Sequence, residues 1–220
     1  MVSAGGLQMA EPVVTIAVDG PAASGKGTLA RRLADHFGLN HLDTGGLYRA
    51  VAVRVLRQGG DPADEASGET AAQNLETQDL EAPNLRAEEV GQAASIVSAH
   101  PKVRAALLIY QRDFAATPPG AVLDGRDIGT VVCPEAGAKI YLDASLETRA
   151  KRRVKELRLR GVESIESRVL QEMQDRDARD SGRAVAPLKA AEDALTMDTT
   201  DLSPDEVFDR ALSYIAARLE

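Results

Sequence analysis

The stretch Val13–Thr28, V-V-T-I-A-V-D-G-P-A-A-S-G-K-G-T, constrains this 220-residue chain more than any other. Val13 to Val18 is short, apolar and β-branched, Asp19 and Gly20 end it, and from Lys26 the apolar positions Leu29, Leu33 and Phe37 recur at helical spacing. A buried strand therefore runs through a loop of small residues into a helix. The loop fits G-x-x-x-x-G-K from Gly20 to Lys26, in the strand–loop–helix context that gives this pattern its meaning. Gly20 and Gly25 leave out side chains so that backbone N–H groups can turn inward on phosphate oxygens; the helix N-terminus adds partial positive charge and Lys26 a full one. The Ser or Thr that commonly follows the lysine and holds Mg²⁺ is here Gly27, with Thr28 one place later.

Composition narrows what surrounds that loop. Hydrophobic residues make up 44% of the chain, with three Phe, four Tyr and no Trp, so the core must be built from Leu, Val, Ile and Ala. The net charge of −8 argues against a non-specific nucleic-acid binder. The imbalance is local, because Asp61–Glu89 holds nine acidic residues and the single basic Arg86. Cys133 is alone, which excludes an internal disulfide, suits the reducing cytosol and reads as a small buried apolar residue. Residues 1–12 lack the basic region and apolar core of a signal peptide and read as a disordered leader, and no run approaches the ~18 apolar residues of a membrane span.

Along the chain, Gly38 suits a left-handed cap to the first helix, and Leu39–Leu42 is a connection or short strand leading to Asp43-Thr44-Gly45-Gly46. A second helix carries Tyr48, Val51, Ala52 and Val55, with Arg49 near its start. Gln58–Pro83 is polar, acidic and weakly periodic, and reads as an insertion or mobile excursion. Helical patterns return with Val90, Ala93, Ala94 and Val97, and again after Pro101 with Val103, Leu107, Tyr110 and Phe114. Ala121–Leu123 runs into Asp124-Gly-Arg-Asp127, and Lys139–Asp143 repeats the device, as parallel strands do when their carboxyl ends face a site. Ser145 caps a helix whose segment Arg149–Arg160 carries seven basic residues against Glu156, and which on an acidic protein is best explained by phosphates. Gly161 offers a hinge before a helix ending in D-R-D-A-R-D-S-G-R. Ala194–Thr199 reads as a last strand, and Ser203-Pro-Asp-Glu206 as a strong helix start.

Five segments together resemble the bacterial cytidylate kinases, within the nucleoside monophosphate kinase group of P-loop kinases. They are G-K-G-T at Gly25, D-T-G-G-L-Y-R at Asp43, D-G-R-D-I-G-T at Asp124, R-A-K-R-R at Arg149 and R-D-S-G-R-A-V-A-P-L at Arg179. The resemblance runs from about Val13 to the C-terminus and is weakest between Gly59 and Asn84, where the family commonly carries a longer insertion with a small sheet.

The resemblance implies transfer of the γ-phosphoryl of ATP to CMP or dCMP. It implies an α/β P-loop NTPase-type three-layer fold with a central parallel sheet of about five strands. A single domain over 13–220 would comprise a core (13–43, 118–148, 185–220), a helical acceptor-binding part (about 44–117, with a shortened acidic insertion over 59–84) and a short lid (about 149–162). Gly20, Pro21, Ala22, Ala23, Ser24, Gly25, Lys26, Gly27 and Thr28 would hold ATP, with Arg149 and Arg153 from the lid. Thr44, Arg49, Arg126 and Arg183 would hold the CMP phosphate; Ser95, Arg104 and Asp127 the cytosine edge; Arg176 and Asp180 the ribose. Lys26, Arg126, Arg153 and Arg183 would act in catalysis, and Asp43, Asp124 and Thr28 would organise Mg²⁺ through water. The implied enzyme is a monomer of the cytoplasm, acting on small molecules and on neither nucleic acid nor membrane. A small P-loop kinase for UMP, AMP or a non-nucleotide acceptor is the rival reading. A guanine-reading switch is disfavoured, because none of Asn40, Asn74 and Asn84 is followed by Lys.

Overall fold

The β-branched run becomes the central strand, β1 (Val14–Asp19), of a wholly parallel five-stranded sheet. Its other strands are β2 (Asn40–Asp43), β3 (Gly120–Gly125), β4 (Ala138–Asp143) and β5 (Leu195–Asp198), in the order β2-β3-β1-β4-β5. The computed structural model describes residues 13–219, so the expected leader lies outside the described residues. Side chains of β1 alternate between two cores. Ile16 and Val18 pack with α1 (Lys26–Phe37) and α9 (Pro204–Leu219) through Leu33 and Ile215, whereas Ala17 faces α2 (Thr44–Arg57), α5 (Glu88–Val97) and α6 (Pro101–Ala115). A third cluster joins α7 (Leu146–Leu159) to α8 (Glu166–Ser181) and takes in Ala22 and Ala23 of the glycine-rich loop.

Local signals account for most element ends. Gly38 adopts φ 65°, and its N–H returns to the Ala34 carbonyl. Ser145 accepts from the Thr148 N–H, and Ser203 and Glu206 cap α9 reciprocally. Among the described residues no helix is long and apolar enough to cross a membrane.

Three expectations need correction. Asp43-Thr44-Gly45-Gly46 does not precede the second helix but begins it, with Asp43 Oδ1 accepting from the Gly46 N–H at 3.1 Å. The acidic stretch after Gln58 is not a loose excursion, because it forms α3 (Glu65–Gln73) and the short α4 (Thr77–Leu80). Its carboxylates work inside the fold. Asp64 caps α3, and the fully buried Asp79 accepts from Arg54 at 2.7 Å, Arg57 at 3.2 Å and the Glu76 N–H. Gly68 lets α3 reach α6, since a Cβ there would meet Val103 at 2.9 Å. Third, α6 buries Val103 and Leu107 as expected but leaves Tyr110 47% exposed, and Arg104 and Gln111 turn inward instead. Arg104 is drawn in by Asp127, so an ion pair overrides the apolar stripe.

Leu33 is fully buried between β1 and α9. Leu33→Ala should cost about 3 kcal/mol and lower the thermal midpoint by roughly 6–12 °C. Tyr110→Ser on the outer face of α6 should stay within about 0.5 kcal/mol. Calorimetric melts of both variants check the two sides of the packing argument.

Candidate active site

The glycine-rich loop is shaped by what it cannot hold. A Cβ on Gly20 would lie 2.1 Å from the Leu142 carbonyl oxygen of β4, so only hydrogen fits where the chain leaves β1. Gly25 (φ 98°) opens α1, and Ala23 is also left-handed at φ 59°. Lys26 Nζ curls back to the Pro21 carbonyl at 3.2 Å. Gly20 and Pro21 lie beneath the loop, while Ala22 to Thr28 line a cleft of about 710 Å³. Across it stand Asp43, Arg49, Asp124, Arg126, Arg153 and Arg176. Asp43 and Asp124 are register partners at the carboxyl ends of β2 and β3.

A buried ionic network lies beside the cleft. Asp180, 1% exposed on α8, accepts from Arg126 Nε at 2.8 Å and from Arg183 Nη2, with the Ser95 hydroxyl at 3.5 Å and Arg176 Nε at 3.8 Å. Burial opposes the charge on Asp180, but Arg126, Arg176 and Arg183 outweigh it and hold its pKa below the ordinary value. Arg104 pairs with Asp127, donates to the Ser98 carbonyl at 3.2 Å and lies 5.4 Å from the Tyr48 ring centre. Arg183 also reaches Ser98 Oγ at 2.7 Å. Four buried guanidinium nitrogens have no hydrogen-bond acceptor among the described residues: Arg54 Nε on α2, beside Asp79 and away from the cleft, and Arg49 Nη1, Arg176 Nε and Arg183 Nε in or beside it. Buried donors without acceptors are costly, and several facing one region call for an anion.

The same crowding of cations acts on neighbouring groups. Desolvation, then Arg126, pulls Lys26 down to about 7 and Arg176 to about 9. Arg49 is lowered by burial and then by Arg153. Gly91 of α5 makes room for Arg49, since a Cβ there would stand 3.3 Å from Nη1.

The structure brings Lys26, Arg49, Arg126, Arg153 and Arg176 onto one cleft, and Ser95, Arg104, Asp127, Asp180 and Arg183 into the network behind it. Thr44 is buried between the two, its hydroxyl donating to the Asp124 carbonyl at 2.8 Å. Arg149 is not brought to the cleft. It is buried and donates to the Ala144 carbonyl, Asp177 and the Ala22 carbonyl, which places it under the loop. Arg153 pairs with Glu88 of α5 and Glu156 of its own helix. Sequence reasoning counted Arg179 among the arginines near element ends but assigned no contact to it or to Glu88, Asp177 and Thr199; Arg179 donates to Ser95 and Gln92, and the Thr199 hydroxyl donates to the Ser24 carbonyl. Asp177 and Arg179 lie within the quoted run D-R-D-A-R-D-S-G-R, and Thr199 ends the expected last strand; Glu88 had no such signal.

Asp43, Asp124 and Thr28 all line the cleft with oxygen donors, and among the described residues no group of three or more His, Cys, Asp or Glu forms a metal cage. Such a set fits Mg²⁺, which keeps waters and binds one or two carboxylates together with substrate phosphates. Asp124 Oδ2 is oriented by His41 Nε2 at 2.9 Å.

The family model for cytidylate kinase matches residues 16–217. A cytidylate kinase of Paramagnetospirillum magneticum is 57% identical over 206 residues, covering 92% of this chain and 98% of the relative. One of Granulibacter bethesdensis is 59% identical over 196 residues, covering 89% and 93%. Among solved structures, an uncharacterized protein from Eubacterium ventriosum superposes with TM-score 0.55 at 14% identity over 93% of this chain and 99% of its own. A gluconokinase from Sinorhizobium meliloti gives 0.52 at 15% identity over 94% of each. These two likenesses concern the fold alone.

Lys26 titrates at about 7, and an arriving phosphate raises its pKa, so binding a polyphosphate at pH 8 takes up a proton. The calorimetric enthalpy of triphosphate binding should therefore vary with the ionisation enthalpy of the buffer, and Lys26→Met should remove that variation. An enthalpy independent of buffer in the unaltered protein counts against it.

Proposed function

This chain belongs to the cytidylate kinase family, and from that premise we propose that it transfers the γ-phosphoryl of ATP to CMP or dCMP, giving ADP and the diphosphate. The observation that carries this reading is the set of guanidinium nitrogens without a hydrogen-bond acceptor on Arg176 and Arg183, which with Arg126 surround Asp180, and on Arg49, which lines the cleft beside the glycine-rich loop. One anionic substrate is held by the loop and a second by these arginines.

In this reading Ala22 to Thr28 hold the ATP phosphates, with Gly20 and Pro21 shaping the turn beneath them and Lys26 on the β and γ groups. Thr44, Arg49, Arg126 and Arg183 hold the acceptor phosphate, and Arg176 and Asp180 face the ribose. Ser95, Arg104 and Asp127 read the base. The cytosine N4 amine is a donor and meets the Asp127 carboxylate, whereas uracil presents an oxygen there and is repelled. Arg104, fixed by Asp127 and the Ser98 carbonyl, donates to the acceptor atoms of the same edge.

Residues 149–162 form the lid. Arg153 exchanges Glu88 and Glu156 for the oxygens of the transferring group, so its charge acts where negative charge builds. Arg149 holds the base of α7 to the loop through the Ala22 carbonyl. Asp43, Asp124 and the Thr28 hydroxyl would hold Mg²⁺ through water, where the ion neutralises charge shared by the β- and γ-phosphates. The remaining work is positioning, and no general base is required.

ADP release with ATP should saturate with CMP and dCMP, weaken with UMP and vanish without acceptor. Activity with AMP or shikimate alone would replace the acceptor assignment. Arg104→Ala and Asp127→Ala should each raise KM for CMP roughly tenfold to a hundredfold and leave KM for ATP within about twofold. Arg153→Ala should lower kcat by about 10³ with little change in either KM.

A further inference from the structure

A carboxylate that no role above uses lies under the acceptor wall. Asp19 is the last residue of β1, next to Gly20, and is 4% exposed. Its two oxygens accept from the Ile128 and Gly129 N–H groups at 2.8 Å each. Those amides open a π-helical stretch, Ile128–Val132, directly after Arg126 and Asp127, where a helix start leaves donors without acceptors of its own. Burial raises the Asp19 pKa to about 7 against the pull of both amides. A side chain needed only to fill this space would be apolar.

The surroundings leave the turn little freedom. On one side, a Cβ on Gly125 would lie 2.6 Å from Thr44 Oγ1 and 2.7 Å from Ile128 Cδ1. On the other, a Cβ on Gly129 would stand 3.2 Å from Lys139 and 3.4 Å from Asp19 Oδ2. Asp19 cannot follow a displaced turn, because Gly20 is wedged against the Leu142 carbonyl. The side chains of Arg126 and Asp127 reach out of this clamp to Asp180 and Arg104.

We propose that Asp19 is a positioning residue for the acceptor. By anchoring the Ile128 and Gly129 amides to the strand that leads into the glycine-rich loop, it sets where Arg126 and Asp127 stand, and so the affinity for CMP rather than for ATP. The inference rests on the assignment of Arg126 and Asp127 to the acceptor made above.

Asp19→Asn keeps the shape but presents one acceptor and one donor to two amides. In the full chain it should raise KM for CMP by about tenfold or more at saturating ATP, while KM for ATP moves less than about threefold. In an Arg126→Gln/Asp127→Asn background the same substitution should add less than about threefold to KM for CMP, because both groups it positions are already gone. Independent effects of Asp19→Asn and that background, or equal rises in both KM values, overturn the inference, since a general loss of packing acts on both sites alike. If Asp19→Asn does not fold, amide exchange in the unaltered protein decides. Slow exchange at Ile128 and Gly129, slowed further by CMP, is required, and fast exchange indifferent to CMP overturns it. An Asp127→Asn enzyme with unchanged KM for CMP removes the acceptor assignment itself, and this inference with it.

Discussion

The arginine-lined wall beside the cleft depends on the burial of one carboxylate among three guanidinium groups. Without Asp180, Arg126, Arg176 and Arg183 would face one another across a poorly hydrated space, where like charges about 4 Å apart repel by ~4 kcal/mol at an effective dielectric near 20. One acid among three bases leaves the wall cohesive yet net positive. That residual charge attracts a phosphate and, through Arg126, adds to the burial that lowers the pKa of Lys26 and Arg176. Because Asp180 rides on α8, the helix that packs on α7, the ionic network and the basic helix share a support.

An acidic protein can present so basic a cleft because its carboxylates are engaged elsewhere. Asp64 and Asp79 cap helices, Asp79 also holds Arg54 and Arg57, and Glu88 and Glu156 share Arg153. The helical α3–α4 segment thus stays folded on internal ion pairs.

The layers of this fold are legible in its sequence wherever a local signal suffices. The Gly38 cap, the Ser145 cap and the start at Ser203 depend on neighbours within a few residues, and the Gly20–Lys26 loop carries its pattern within seven. What is not legible depends on partners far along the chain. Tyr110 reads as core by its spacing, but Asp127, on another element, turns the face of α6 by drawing in Arg104. Arg149 reads as one more phosphate ligand, but Asp177 and the Ala144 carbonyl, just past the end of β4, hold it underneath the loop. Asp79, buried in a stretch whose composition suggests disorder, belongs to the same class. Motifs bring most of the site together, but composition says nothing of which charges neutralise one another.

The strand order carries a cost in time. Val14 at the start of β1 pairs with Gly120 of β3, and Ile16 with Ala138 of β4, while β2, next in the chain, lies one strand away. Made on a ribosome at ~5–20 residues per second, β1 waits roughly 5–20 s for its first neighbour. During that interval its β-branched edge is open to any other extended chain, and the helices α2 to α6 have only one another to pack against. Synthesis of this enzyme therefore has a vulnerable window whose length is set by topology, and whatever shields nascent strands in the cell acts on this chain most before β3 emerges.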